Sequence, residues 1–273
     1  MSPTVFGDSS FLLWIMAAVV ALQAGYLYVG WIRRAQWGQG KGEIWRALLL
    51  GSGALGMGIA SSVVLALSAE GLSFALGYRW LAVPALLLGP MLATLPAAWW
   101  LSRRQNGLAL GVCGLWLGSV ATAAQLGWIV AAGLRPGIRL QLELLSAGAA
   151  IATFGFIASL WLAFSDASSA GARRTLWRLG AAALLALTLI AGQEMVLSSI
   201  GLNFQVGSIY KSEAGATWMC LVAGALVPTL MAMMALDLAL RNRTDRRNTR
   251  RKAGTVELDL PKRRKRRRKY RAL

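Results

Sequence analysis

Seven long apolar segments dominate the sequence and restrict it to one class of fold. They cover approximately residues 11–32, 46–69, 80–101, 108–132, 142–165, 179–201 and 215–240. Each is nearly free of charge and reaches the length of about 20 residues that an α-helix needs to cross the hydrocarbon of a bilayer. Only 15% of the 273 residues are charged, whereas soluble domains have about a quarter. The sequence therefore predicts an all-α, polytopic membrane bundle of seven transmembrane helices.

Lysine and arginine are distributed unevenly between the connections, which predicts the direction of the helices. The connections after the first, third and fifth segments and the C-terminal tail are basic, whereas the other side has only Arg79, Arg135, Arg139 and Lys211. Because basic connections stay in the cytoplasm, we expect a bacterial inner-membrane protein with its N-terminus outside and its C-terminus in the cytoplasm. No Lys or Arg precedes the first segment, so we expect a true span there and not a cleaved signal peptide.

Three of the segments contain similar sequences, which suggests an internal repeat. They lie in the second, fourth and sixth segments and read "GMGIASSVVLALSA" (56–69), "GSVATAAQLGWIVAA" (118–132) and "LIAGQEMVLSSIG" (189–201). Aligning their small residues makes Val63, Gln125 and Glu194 equivalent, about 10 Å below the outer interface at 1.5 Å per residue. Parallel repeats around an axis along the membrane normal would place the three around one centre. We therefore expect the first six helices to form three parallel hairpin repeats.

The adjacent Gln193 and Glu194 are the most polar feature inside a predicted span. A charged carboxylate within the bilayer is costly, so Glu194 is expected to be neutral or paired. Two interpretations stay open. In one, Val63, Gln125, Gln193 and Glu194 surround a polar pocket for a ligand or a proton. In the other, the amide and carboxyl groups hydrogen-bond between helices and hold the bundle together.

The residue types needed for catalysis or metal binding are scarce. The chain has no histidine, and its two cysteines lie in separate apolar segments; histidine is the commonest general base and metal ligand. The methionine-rich "MAMMAL" (231–236) is typical of ordinary helix packing. We therefore expect no enzymatic activity, no catalytic residue, and no metal or other cofactor. Asp237, which follows the methionines, is expected to reach water or to pair with Arg241 four residues further along the helix.

The repeated sequences, together with "ATFGFIASLWLAF" (152–164), resemble a known family. "GMGIASSVVLALSA" is similar in length and framework to the first repeat of the MHYT domain, a bacterial membrane sensor module of three helix pairs. "LIAGQEMVLSS" is similar to the last repeat through its "IAG", and the segment at 152–164 resembles the helix that precedes it. The resemblance covers about residues 11–201. By it, the chain is identified as a degenerate member of the MHYT family.

The resemblance implies a place for each signature residue of the family. Its histidines fall on Val63, Gln125 and Glu194, its methionines on Ser62, Ala124 and Gln193, and its aromatic residues on Val64, Leu126 and Met195. The family is proposed to bind a metal, copper, and so to sense a diatomic gas or a redox state. Val, Gln and Glu do not make a copper site, so the resemblance implies a sensor scaffold that has lost its metal.

The C-terminal tail differs sharply in composition from the spans. Residues 241–273 contain sixteen Lys or Arg and three Asp or Glu, and their low complexity predicts disorder. Three roles stay open: a topological signal, adsorption to anionic lipid head groups of the inner leaflet, and binding of a cytoplasmic protein partner or, less favoured, nucleic acid. The candidate contact residues are Lys262, Arg263, Arg264, Lys265, Arg266, Arg267, Arg268 and Lys269.

The sequence thus predicts three parts and one leading function. Residues 1–201 form an MHYT-like six-helix membrane module, 202–240 an outer loop and the seventh helix, and 241–273 the basic tail. The leading hypothesis is a non-catalytic signalling or regulatory membrane protein that acts through partners, with the tail as its cytoplasmic contact. The alternatives are a small transporter with Glu194 as its coupling carboxylate and a membrane assembly scaffold.

Overall fold

The computed structural model describes residues 11–38, 40–70, 77–135, 139–165, 172–201, 207–208, 210 and 214–244. The first six helices are α1 (Phe11–Trp37), α2 (Lys41–Ala69), α3 (Ala82–Arg103), α4 (Gly107–Ala131), α5 (Leu142–Ser165) and α6 (Ala172–Ser198). The seventh, α7, begins as Ala216–Leu221, passes through a π-helical turn at Val222–Leu226 and continues to Thr244. Within this part of the chain, seven helices are long and apolar enough to span a membrane. The predicted fold class is therefore confirmed.

The helices extend further at one end than the apolar segments do. α1 continues to Trp37, past the predicted limit at residue 32, and α2 begins at Lys41, before the predicted start at 46. The added turns contain Arg33 and Arg34. Arginine and lysine interrupt a run of apolar residues but are good helix formers, so hydropathy alone places the helix end too early.

The first six helices form a closed ring. Each packs against its neighbours in the sequence, and α6 also packs against α1. The even-numbered helices α2, α4 and α6 contact one another as well, and α2 is the most deeply buried of the seven. The first part of α7 packs against α1 and α2. The order of hairpins α1–α2, α3–α4 and α5–α6 is the one that the three sequence repeats predict.

Short antiparallel strand pairs join the connections at one end of this ring. The pairs are β1 (Gly77–Tyr78) with β6 (Ala214–Gly215), β2 (Leu134–Arg135) with β5 (Gly207–Ser208), and β3 (Arg139–Leu140) with β4 (Ile200–Gly201). They belong to the α2–α3, α4–α5 and α6–α7 connections, which therefore lie on the same side. We call this side the strand end, and the opposite side, where α1–α2, α3–α4 and α5–α6 connect, the basic end. Two-residue strands are too short to leave an alternating pattern in the sequence.

Glycines set the distance between neighbouring helices of successive repeats. A Cβ added at Gly56 of α2 would lie 2.4 Å from backbone atoms of Met91 in α3, and one at Gly118 of α4 would lie 2.6 Å from the backbone of Thr153 in α5. The same spacing separates Gly56 from Gly118 and Met91 from Thr153 in the sequence. The first two repeats thus make the same glycine contact with the helix that follows, since only small residues let two helix backbones approach so closely.

The chain divides into two compact units, Met1–Met231 and Ala232–Leu273. In the second unit, Arg241 Nε donates a hydrogen bond of 2.9 Å to Asp237 Oδ1. This confirms the predicted pair, one helical turn apart. The basic run at residues 262–269, with the rest of the tail beyond Thr244, lies outside the described residues, so its predicted contacts stay predictions.

Candidate functional site

Two glutamines predicted for the polar pocket lie inside the bundle, within two turns of the strand end. Gln125 of α4 is 2% exposed and Gln193 of α6 is 3% exposed. Val63 of α2 lies at the same level and is 1% exposed. The structure therefore brings these three residues into the layer where the even-numbered helices meet, which we call the glutamine layer.

Both glutamines donate hydrogen bonds to the backbone of another even-numbered helix. Gln193 Nε2 donates to the carbonyl oxygen of Val63 at 3.1 Å, and Gln125 Nε2 donates to that of Leu189 at 3.5 Å. The bonds run from α4 to α6 and from α6 to α2. Val63 stands where a third such donor would be, but its side chain is a hydrocarbon. Hydrogen bonds of this kind hold membrane helices together, so the geometry favours the structural interpretation of the two amides.

The glutamine layer also contains a polar atom that is not used between helices. Gln125 Oε1 is buried and has no hydrogen-bond partner among the described residues. Buried polar groups are normally paired, with protein or with ordered water. If the layer holds a ligand, Gln125 Oε1 is the atom available to it.

Glu194 lies outside the glutamine layer. It is exposed on the surface of α6, and the preceding Gln193 takes the inward position. An α-helix turns by about 100° per residue, so an alignment shifted by one position moves a side chain from the interior to the surface. An amide can be satisfied by backbone carbonyls, whereas a buried carboxylate must be neutral or paired. The expectation that Glu194 faces the centre is therefore wrong, and Gln193 faces it instead.

The residues of this layer do not fit the copper site that is proposed for the MHYT family. Val63 offers no ligand atom, the Nε2 groups of Gln125 and Gln193 donate to carbonyl oxygens, and Glu194 faces away. Copper prefers imidazole and sulfur ligands. Over the described residues, no three or more His, Cys, Asp or Glu side chains are grouped so that they can hold a metal ion.

We expect Gln193→Leu to weaken the contact between α6 and α2 by about 1 kcal/mol, the usual scale for an interhelical hydrogen bond in a membrane. The variant keeps an apolar side chain of similar size but removes the donor to the Val63 carbonyl. Reversible unfolding in bicelles measures the loss. Glu194→Gln, one residue further and exposed, is the matched control. Equal losses in the two variants would contradict the inward position of Gln193.

The exposed Glu194 interacts with Glu70, which directly follows α2 at the strand end. Partial burial of the Glu70 carboxyl, and secondly the negative charge of Glu194, raise the pKa of Glu70 from its ordinary value of 4.5. The folded protein therefore holds the Glu70 proton more tightly than the unfolded chain does. By linkage, the stabilisation that comes from this proton is complete below about pH 4.5 and is lost as the pH rises through the folded-state pKa.

We expect Glu70→Gln to make the protein more stable than the wild type at neutral pH and to lose that advantage in acid. The variant is neutral at every pH, so it lacks the penalty for ionising Glu70 in the folded state. Thermal unfolding in detergent at about pH 4 and about pH 8 measures the difference. Glu43→Gln, in the exposed first turn of α2, is the matched control. An advantage of the same size at both pH values would contradict the raised pKa.

At the basic end, two side chains of α1 contact the ends of the other odd-numbered helices. Arg33 is 8% exposed, donates a hydrogen bond to the carbonyl oxygen of Ala163 in the last turn of α5, and lies 5.8 Å from the ring centroid of Phe164. Gln36 donates to the carbonyl oxygen of Leu101 in the last turn of α3 at 3.3 Å. Carbonyls in the last turn of a helix lack partners within it, and a cation there also complements the helix dipole. Neither contact could be predicted from the residues around Arg33 and Gln36 in the sequence.

Comparison of the chain with protein-family models gives no match, and none is found among curated proteins or solved structures. The class of protein is therefore taken from the fold alone. The chain is a membrane protein with seven long apolar helices, six of which form a ring. Its function has to be inferred from the placement of its polar and charged groups.

Proposed function

We propose that the chain is a non-catalytic signalling or regulatory protein of the bacterial cytoplasmic membrane, which acts through partners at its basic end. One observation carries the proposal: amide groups inside the bundle bond one helix to another, while most of the cationic residues in the described connections of the six-helix ring lie at one end. Gln125 and Gln193 donate to neighbouring helices. In such a bundle, the charged groups at the end are accessible to partners, and the buried amides hold the helices together.

Exposed basic side chains lie where the hairpins turn. Lys41 and Arg46 are at the start of α2, and Arg103 and Arg104 are at the end of α3. The guanidinium of Arg103 lies 4.2 Å from the ring centroid of Trp99, a cation–π contact typical of an interfacial position. Basic connections favour the cytoplasmic side, which supports an external N-terminus. Anionic lipid head groups and an acidic protein surface are the partners that such charge fits.

We infer in addition that the chain is a degenerate relative of the MHYT domain. The support is the closed ring of three hairpins, in which the even-numbered helices meet near one end. Val63 and Gln125, which fall on two of the family's histidine positions, are buried in the glutamine layer. In the third repeat the inward residue is Gln193, so the correspondence there shifts by one position. In this proposal, the chain keeps the helical scaffold of the family, and the amides of Gln125 and Gln193 and the side chain of Val63 take the places of the metal ligands.

The transporter alternative depends on Glu194 as a carboxylate within the bundle. Glu194 is exposed on α6, so it does not face a path through the ring. The geometry therefore favours signalling over transport. Solute flux in proteoliposomes that disappears in a Glu194→Gln variant would reverse this preference.

Deleting residues 245–273 is expected to abolish capture of cytoplasmic partners while the bundle still inserts in the membrane. The deletion keeps all of α7 that the structure describes, including the Asp237–Arg241 pair. Crosslinking and pull-down from membranes measure the loss of partner. A second variant replaces the eight basic residues at 262–269 by glutamine and keeps the length of the tail. Capture that is unchanged after the deletion contradicts the proposed function.

A further inference from the structure

Four neighbouring helices each place one hydroxyl or thiol side chain in the basic-end half of the bundle. These side chains are Tyr28 of α1, Ser52 of α2, Thr94 of α3 and Cys113 of α4. Tyr28 and Thr94 are 0% exposed, and Ser52 and Cys113 are 2% exposed. All four lie roughly two to three turns from the basic end of their helices, on the opposite half from the glutamine layer.

Contacts join α2, α3 and α4 at this level. Thr94 Oγ1 donates to the carbonyl oxygen of Ser52 at 3.2 Å. Cys113 Sγ lies 3.8 Å from the carbonyl oxygen of Ala97, which is one turn beyond Thr94 on α3. A Cβ added at Gly51, next to Ser52, would lie 3.7 Å from the carbonyl oxygen of Tyr28, whose side chain is 0% exposed. Tyr28 therefore packs against α2 at the level of Ser52.

Three polar atoms at this level have no hydrogen-bond partner among the described residues: Tyr28 Oη, Ser52 Oγ and Trp31 Nε1. Trp31 borders the same region, because its Cβ lies 3.2 Å from the position that a Cβ would take at Gly51, next to Ser52. An unpaired polar group is expensive inside a membrane-spanning bundle, where bulk water does not reach it. Three such groups at one level are expected where a polar ligand binds and not in a dry core.

We propose that Tyr28, Ser52, Thr94 and Cys113 form a binding site for a small uncharged ligand that both donates and accepts hydrogen bonds. Hydroxyl groups can do both, and the indole N–H of Trp31 adds a donor. None of the four is an acidic or basic residue, so an ion would lose its hydration here without gaining a counter-charge. Ordered water and a hydroxyl-bearing solute are the two sources of this chemistry. The site is independent of the proposed signalling function.

The stabilities of Tyr28→Phe and Ser52→Ala test whether the site is occupied. If a ligand bridges the hydroxyls, each variant loses one hydrogen bond, and its unfolded-to-folded ratio in detergent rises about fivefold. If the hydroxyls are unpaired, their removal relieves a penalty and the ratio falls. Tyr26→Phe and Ser119→Ala are the matched controls, because Tyr26 is half-buried and the exposed Ser119 donates a hydrogen bond to Leu115 in its own helix. A ratio that falls or stays unchanged in both test variants overturns the proposal.

Two measurements on the full wild-type chain identify the ligand. X-ray radiolytic labelling of Tyr28 and Trp31 detects ordered water beside these rings, and native mass spectrometry detects a solute as added mass. Labelling without added mass assigns the site to water, and added mass that Ser52→Ala loses assigns it to a solute. If the variants do not fold, the two measurements on the wild-type chain decide whether the site is occupied. The proposal is overturned if Tyr28 and Trp31 are not labelled and no added mass is found.

Discussion

A Gly56→Ala variant is expected to lose about 3 kcal/mol of stability or to fail to assemble, at the upper end of the usual cost of overpacking. The new methyl group would lie 2.4 Å from backbone atoms of Met91, and a backbone cannot rotate away as a side chain can. The helices α2 and α3 would have to separate, which breaks the packing along their whole interface. Thermal unfolding in detergent and the yield of inserted protein measure the loss.

Other glycines of the bundle supply both a replicate and a control. Gly118→Ala should behave like Gly56→Ala, because its Cβ would lie 2.6 Å from the Thr153 backbone. At Gly111 of α4, nothing lies within 4 Å of an added Cβ. Alanine at this position should stabilise the helix by up to about 1 kcal/mol. Equal stabilities of the Gly56→Ala and Gly111→Ala variants would contradict the close contact of α2 with α3.

An Arg33→Ala variant is expected to lose about 2 to 3 kcal/mol, the scale of a hydrogen bond to a charged group. The change removes the charged donor to the Ala163 carbonyl and the contact with the Phe164 ring. Because Arg33 is buried, the loss should depend little on ionic strength. Thermal unfolding at low and high salt measures both the size of the effect and its salt dependence.

Two further arginine variants separate the buried contact from the general effect of charge. Arg104→Ala, at an exposed position beside the end of α3, should change stability by less than about 0.5 kcal/mol. Arg33→Lys keeps the positive charge but loses the planar fork of the guanidinium, so it should show an intermediate loss. If Arg33→Ala costs no more than Arg104→Ala, the link between α1 and α5 does not contribute to stability.

The hydrogen bonds between distant helices involve different helices at the two ends of the bundle. Near the strand end, Gln193 links α6 to α2 and Gln125 links α4 to α6. At the basic end, Arg33 links α1 to α5 and Gln36 links α1 to α3. Even-numbered helices are therefore bonded to one another near the strand end, and side chains of α1 are bonded to α3 and α5 at the basic end. This arrangement makes α1 the element that holds the other odd-numbered helices at the end where the proposed partners bind.

Several properties could be predicted from the sequence because they depend on local patterns. The number and approximate limits of the spans follow from uninterrupted apolar runs, and the order of the hairpins follows from three similar segments. The Asp237–Arg241 pair was predictable because residues four apart share one face of a helix. Each of these properties needs only the identity of residues that are close along the chain.

Which side chains face the interior had to come from the packing of the helices. Membrane helices are apolar on every side, so their sequences carry no strong signal for the inward face, and the alignment placed Glu194 where Gln193 lies. Nothing in "GWIRR" (30–34) distinguishes Arg33 from Arg34, yet only Arg33 is buried, against the end of α5. The partners of these residues are more than a hundred positions away in the sequence. Their contacts arise from how whole helices fit together, which a local pattern does not record.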